Sequence, residues 1–391
     1  MVTAFQLART PHLSFGPGKL SELTALISKY PGNTLVITRG DTFLTSNPWD
    51  RLQDDFMEQN IKWFHETVDQ EPSPDLIDSL TLKYADENIM SVAGIGGGSV
   101  LDAGKAVSAM LGKTESIMDY LEGVGAGKEH DGNKKPYIAV PTTSGTGAEA
   151  TKNAVLSVVG ERGFKKSLRH NNLVPDYAII DPELTISCPQ DITSASGMDA
   201  FTQLLESYLS PKASEYTDMI VEKGLKHVSE SLEKAWNHGQ DLNARSGMML
   251  AAYYSGICLA NAGLGVIHGF ASSIGGMYDI PHGIICGTLM GPANRVTIRK
   301  LRKLENYEAL YKYALAGKIF GGREQDQAMD YYINLLLDRI NAWTEEFKLP
   351  GLAEYGIKKD HIPTIVKKSA CRDNPVELEE EELIEILEER L

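Results

Sequence analysis

The chain has 391 residues, 42% of them hydrophobic and 23% charged, which fits a soluble globular protein of two domains at roughly 100–200 residues each. Its formal net charge of −15 argues against nucleic acid or an anionic membrane as partner, since both require a basic surface. No apolar run approaches the ~20 residues of a membrane span, and Met1–Phe5 shows no basic segment leading into an apolar one, so neither membrane nor signal peptide is expected. Cys188, Cys258, Cys286 and Cys371 are scattered and form no CxxC pair. They read as buried small hydrophobes in a reducing, cytoplasmic setting rather than as disulfides or a structural zinc site.

In chain order, Asn33–Thr38 is short, β-branched and bounded by Pro31-Gly32 and Gly40, as a buried strand should be. Helical spacing follows over Trp49–Gln59 and again near Asp75–Asp86. Further strands are predicted at Asn88–Ile95, Pro136–Val140 and Tyr177–Asp181. Strands alternating with helices imply a parallel, Rossmann-like sheet covered on both faces. After Pro189 strand signals almost vanish. Helices are predicted at Asp191–Leu209, Ala213–His238, Asn243–Ala262, Val266–Met277, Asp326–Phe347 and Glu377–Leu391, the last an acidic, solvated helix. The expected organisation is an α/β domain over 1–187 and an all-α domain over 188–391.

Two turns in the first half carry chemistry. Gly96-Gly97-Gly98-Ser99 follows a strand and opens a helix, so free N–H groups and the positive end of the helix dipole suit an anion. The glycines are contiguous, unlike the dinucleotide fingerprint GxGxxG, and a plain flexible turn remains an alternative. Thr142-Thr143-Ser144-Gly145-Thr146-Gly147 also follows a strand and offers four hydroxyls and two glycines. Hydroxyls and bare amides at a strand's carboxyl end suit polar ligand edges.

In the second half, Asp199, Gln203 and Glu206 recur at i, i+4 and i+7 on one helix face among apolar neighbours, where a carboxylate requires a partner. His268-Gly269 and His282-Gly283 lie 14 residues apart in apolar surroundings. One carboxylate and two imidazoles suit Zn²⁺ or Fe²⁺ with a position left for a substrate oxygen. Either histidine alone reads more readily as a satisfied core residue, and composition and spacing leave the three-residue site evenly balanced against that reading.

The order and spacing of GGGSVLDAGKA at 96–106, PTTSGTGAEAT at 141–151, PDYAIIDPELT at 175–185, SGMDAF at 196–201 and HGFASSIGGMYDIPHG at 268–283 resemble the iron-containing (group III) alcohol dehydrogenases, related to glycerol dehydrogenase and dehydroquinate synthase. The resemblance implies a dehydroquinate synthase-like fold and a nicotinamide cofactor, NAD or NADP, in a cleft between two domains. The pyrophosphate would rest on Gly96, Gly97, Gly98 and Ser99. Asp102, Thr142, Thr143, Ser144 and Thr146 would lie nearby, and Lys165 would reach the ribose of the nicotinamide, with Lys166 leaving that register open by one. Asp199, His268 and His282 would hold a divalent metal that activates a small alcohol or aldehyde for hydride transfer, and the family's tendency implies a homodimer or higher assembly.

Three positions depart from the family pattern. The usual metal ligand four residues after the aspartate is histidine; here it is Gln203, whose oxygen is a weaker donor that favours harder metals. Ser272 stands where many members place a proton-relaying histidine, and serine does not titrate near neutrality. Arg39 occupies the region where an acid commonly binds the adenosine ribose. It suits the 2′-phosphate of NADP, or it is a surface arginine with Asp41 capping a helix. Gln203 and Ser272 keep an alternative open, a metal-independent reductase resembling maleylacetate reductase.

Overall fold

The computed structural model describes residues 4–40, 43–321 and 327–391. Met1–Thr3, the proposed cap Asp41 and the start of the helix predicted from Asp326 lie outside the described residues.

Eight strands form in chain order: β1 His12–Phe15, β2 Asn33–Thr38, β3 Lys62–Thr67, β4 Ile89–Gly96, β5 Tyr137–Pro141, β6 Asn153–Val158, β7 Phe164–Arg169 and β8 Tyr177–Ile180. Six make one sheet in the order β1-β8-β5-β4-β2-β3, with every pairing parallel. The central strands are buried along almost their whole length, so both faces need cover. On one face, α1 Glu22–Ile27 and α2 Asn47–Glu58 supply Leu23, Ile27, Leu52 and Phe56. On the other, α3 Pro74–Lys83 and α4 Gly98–Met110 supply Ile77, Leu80 and Leu101. The connection leaving β2 therefore runs on the opposite face from that leaving β4, although β2 and β4 are neighbours. Their carboxyl ends flank a topological switch point, where open α/β sheets leave a crevice.

From residue 190 onward the described residues hold helices: α5 Gln190–Leu209, α6 Glu215–Asn237, α7 Leu242–Ala262, α8 Val266–Met277, α9 His282–Lys303, α10 Tyr307–Gly321, α11 Met329–Glu346, α12 Ile362–Lys368 and α13 Glu380–Glu388. The parallel sheet followed by helices is the architecture expected from sequence. α5 is buried almost throughout, and Phe201, Leu204 and Leu205 anchor the helical core.

Several elements were not anticipated. β1 and β3 are the edge strands, and the polar sequence of β3 hides its pairing. β6 and β7 form an antiparallel hairpin apart from the main sheet. This hairpin rests on α8 through backbone: Gly160 N donates to the Gly276 carbonyl at 3.2 Å, and a Cβ on Gly163 would lie 2.0 Å from that same oxygen. α9 was hidden by its own residues, since Gly283, Gly287, Gly291 and Pro292 suppress helical propensity. Close approach explains the first of them, because a Cβ at Gly283 would meet the Ala195 carbonyl of α5 at 2.3 Å. The acidic C-terminal helix is docked rather than solvated. Ile386 and Leu387 are buried, Arg299 of α9 grips Glu385 at 2.6 and 2.7 Å, and Lys300 meets Glu382 at 3.0 Å.

No single helix among the described residues is long and apolar enough to cross a membrane; α7 and α8 pass that test only as a pair bent by 98°.

Candidate active site

Gly96 and Pro141 are register partners at the carboxyl ends of neighbouring strands β4 and β5, and Thr142 N donates to the Gly96 carbonyl at 3.0 Å. The two turns singled out in the sequence therefore leave the sheet side by side. They pack directly on each other, since a Cβ at Gly98 would lie 2.8 Å from Thr146 Cγ2 and one at Gly97 would lie 3.3 Å from Thr143 Oγ1. Gly97 caps α4 with no side-chain hydrogen bond to the first turn, which leaves the leading amides to face a ligand. Lys105, fully buried two turns further on, donates to Ala148 O, Thr151 Oγ1 and Asn153 O at 2.7–2.8 Å and fastens α4 to the chain beyond the hydroxyl loop.

A cleft of ≈ 1610 Å³ opens above these turns. Gly97, Gly98, Ser99, Asp102, Thr143, Thr146 and Lys165 line it, with Arg39 at the β2 end. Gly96, Thr142 and Ser144, also expected at the cofactor, do not line the cleft and instead shape the turns from beneath. Lys165 forms an ion pair with Glu71, and Lys166, although exposed, also lines the cleft. Burial pushes the Asp102 carboxyl up to about 6, against the pull of Lys105 at 3.6 Å.

The same cleft reaches Asp199, Gln203, His268 and His282. α5 contributes Asp199, α8 contributes His268 and α9 begins at His282. Asp199 Oδ1 lies 3.4 Å from His268 Nε2 and 3.6 Å from His282 Nε2. Glu206, seven residues beyond Asp199 on α5, accepts from His268 Nδ1 at 2.6 Å and from Ile267 N at 2.7 Å. That is the partner its buried carboxylate required, and it turns the Nε2 edge of the ring toward Asp199. Burial lowers His282 to about 4 despite Asp199. Burial also opposes protonation of His268, but the charges of Cys286 and Glu206 and the hydrogen bond to Asp199 outweigh it and hold its pKa well above the usual imidazole value. Burial pushes Asp199 upward, and His282, His268 and Gln203 reverse this to leave the carboxyl below its ordinary range.

Gln203 stands beside the cluster with its amide nitrogen, not its oxygen, toward Asp199 at 3.4 Å. Ser272 donates to the Lys165 carbonyl at 3.0 Å. Tyr278 is engaged with His361 at 2.7 Å.

Sequence reasoning missed Cys286. Taken there for an apolar filler, it stands with Asp199, His268 and His282 in a group whose donor atoms all lie within 4.8 Å of one another. The signal was available, because His282 and Cys286 are four apart and share a helix face.

Comparison with known proteins bears on the family and the fold. The family described as iron-containing alcohol dehydrogenase matches residues 10–182, and the C-terminal domain of the Fe-containing alcohol dehydrogenase family matches 193–391. A 1-propanol dehydrogenase of Salmonella typhimurium is 34% identical over 77% of each chain. The NAD-dependent methanol dehydrogenase of Bacillus methanolicus is 32% identical over 73% of this chain and 72% of its own. A crystal structure of 1,3-propanediol oxidoreductase superposes with a TM-score of 0.89 over 100% of both chains at 24% identity, a likeness of fold.

Proposed function

The chain belongs to the iron-containing alcohol dehydrogenase family, and from that premise we propose that it is a nicotinamide-dependent oxidoreductase of small alcohols and aldehydes. The observation that carries this reading is that one cleft is lined both by the glycine turn at 97–98 and by Asp199, His268 and His282. Two domains, 1–187 for the dinucleotide and 188–391 for metal and substrate, meet at that cleft.

The donor set fits a divalent cation, with one carboxylate and two inward-facing imidazole nitrogens 3.4–3.6 Å from it. Asp199, His268 and His282 would hold such an ion, which supplies Lewis acidity that favours the alkoxide form of an alcohol and polarises an aldehyde. The dinucleotide supplies the hydride chemistry at its nicotinamide ring.

The chain's own share is binding, orientation and exclusion of water. The amides of Gly98 and Ser99 receive the pyrophosphate, Thr143 and Thr146 offer hydroxyls beside it, and Lys165, whose charge is felt at both Asp102 and His282, steers the ribose. Glu206 fixes the His268 ring. Ser272 is occupied with a backbone carbonyl and does not titrate near neutrality, so it is not the group that would carry the alcohol proton away. Arg39 stands at the β2 end of the cleft, where a cation suits the 2′-phosphate of NADP and leaves NAD admissible.

A metal-independent reductase is the weaker reading, because Asp199, His268 and His282 converge as ligands would. One experiment separates them. Purified protein is assayed with NADH and NADPH against small aldehydes, before and after chelation and with Fe²⁺ or Zn²⁺ restored. Turnover that disappears on chelation and returns with metal is expected. Undiminished turnover in chelator would sink the metal-dependent reading, and no turnover with any pair would sink the oxidoreductase.

A further inference from the structure

We propose that Cys286 is a metal ligand, completing an Asp199–His268–His282–Cys286 set whose thiolate favours zinc over iron. The inference rests on the reading of Asp199, His268 and His282 as a metal site.

Geometry carries it. Cys286 Sγ lies 3.7 Å from His268 Nε2 and 3.8 Å from His282 Nε2, and the two nitrogens lie 3.4 and 3.6 Å from Asp199 Oδ1. Metal–nitrogen and metal–oxygen bonds of about 2.0–2.1 Å with a metal–sulfur bond of about 2.3 Å put neighbouring donors about 3.3–3.6 Å apart on a tetrahedron. These four edges exceed those by only a few tenths of an ångström, and all four donor atoms lie within 4.8 Å of one another.

The surroundings of the sulfur point the same way. A cysteine that merely fills space is packed among aliphatic groups, whereas the Cys286 sulfur faces two imidazoles and, across them, a carboxylate. It is fully buried and does not line the cleft. It therefore approaches from behind the histidines, and a substrate oxygen entering from the cleft side would have to join as a fifth ligand.

Gln203 does not compete for this place. Its amide nitrogen donates to Thr146 O at 3.3 Å and to Asp199 Oδ1 at 3.4 Å, and its oxygen accepts from Ser255 at 3.3 Å. Turning the amide over would set its oxygen against both acceptors. The donor lacking at 203 is thus made up from α9, one helical turn beyond His282.

Ligation forms a metal–sulfur bond and releases the thiol proton to solvent, with no change of oxidation state. A thiolate is a soft donor, and tetrahedral nitrogen and sulfur sets select zinc over metals that prefer oxygen ligands.

The test uses the full-length protein stripped of metal and titrated with Co²⁺, a spectroscopic stand-in for zinc. We expect visible d–d bands together with a near-ultraviolet thiolate-to-cobalt charge-transfer band. In Cys286→Ser the charge-transfer band disappears, and zinc affinity, read by competition with a chromophoric chelator, falls about 100-fold, the upper end of what losing an outer-shell partner costs. The unmutated protein's spectrum decides the matter alone if that variant does not fold. Cobalt bound without the charge-transfer band overturns Cys286 as ligand and leaves the three-residue site standing. No cobalt bound overturns both.

Discussion

Glu206 touches no reacting atom, yet one of its oxygens holds His268 Nδ1 and the other the Ile267 amide. Replacing it by glutamine keeps an acceptor for the amide and removes the charge that orients the ring. Glu206→Gln is expected to weaken metal binding by about 10–100-fold, measured by chelator competition, with the circular dichroism spectrum unchanged. A second buried carboxyl, Glu149, is pushed up to about 7 by burial, against its own backbone amide and Lys105. An acid whose folded pKa is raised favours the folded state while protonated. Its contribution is complete below about 4.5 and is lost as pH rises through about 7. Glu149→Gln should therefore lose less stability than the unmutated protein between pH 5 and pH 9, with a gap of roughly 3 kcal/mol at the alkaline end. Urea unfolding at each pH checks this, and parallel curves would contradict it. At this scale Asp199, His268 and His282 were legible because carboxylate and imidazole are conspicuous in apolar sequence. Cys286 was not, because a lone cysteine reads as one more small hydrophobe until its neighbours are known.

Among the elements, α4 and α9 matter most. Gly98→Ala puts a methyl group 2.8 Å from Thr146 Cγ2 and must push the two turns apart, while alanine raises helix propensity. The KM for the dinucleotide is expected to rise by about tenfold, corresponding to about 1.4 kcal/mol, with little change in Tm; an unchanged KM would show that the turns do not cradle the cofactor. α9 begins at His282 and is clamped by α13 through buried leucine and isoleucine and through surface ion pairs. These contribute unequally. Ile386→Ala should cost about 2–5 kcal/mol of stability, whereas Arg299→Gln should cost less than about 1 kcal/mol, because exposed pairs are screened and entropically expensive. Denaturant titration of both variants compares them. The strands of the buried sheet were readable as short β-branched runs, and α8 was located end to end. α9 escaped because the small residues that let it press against α5 are the ones that erase a helical signature.

For the molecule as a whole, the cluster joins α5, α8 and α9, so any ion it holds must also hold those helices together. A ligand that binds only the folded state stabilises it by mass action, about 2.7 kcal/mol at a hundredfold excess over Kd. Chelation is therefore expected to lower Tm as well as activity, and restoring zinc should recover both; calorimetry with and without chelator checks this. The alternation of strands and helices followed by helices alone was enough to give the architecture. It could not give the hairpin of β6 and β7, whose position depends on a long-range contact that leaves no local pattern.

That contact has a further consequence. Where Gly163 and Gly276 meet, polypeptide lies on polypeptide with no side chains between to rearrange, and Lys165 and Ser272 are the next residues in from the join. Such a seam behaves like the spine of a book: the covers can part at the far edge, but the bound edge stays put. Among the residues lining the crevice, amide hydrogen exchange should accordingly be slowest along 163–165 and 272–276 and fastest on the rim near Arg39, so that the side at Lys165 and Ser272 stays formed while the side at Arg39 breathes.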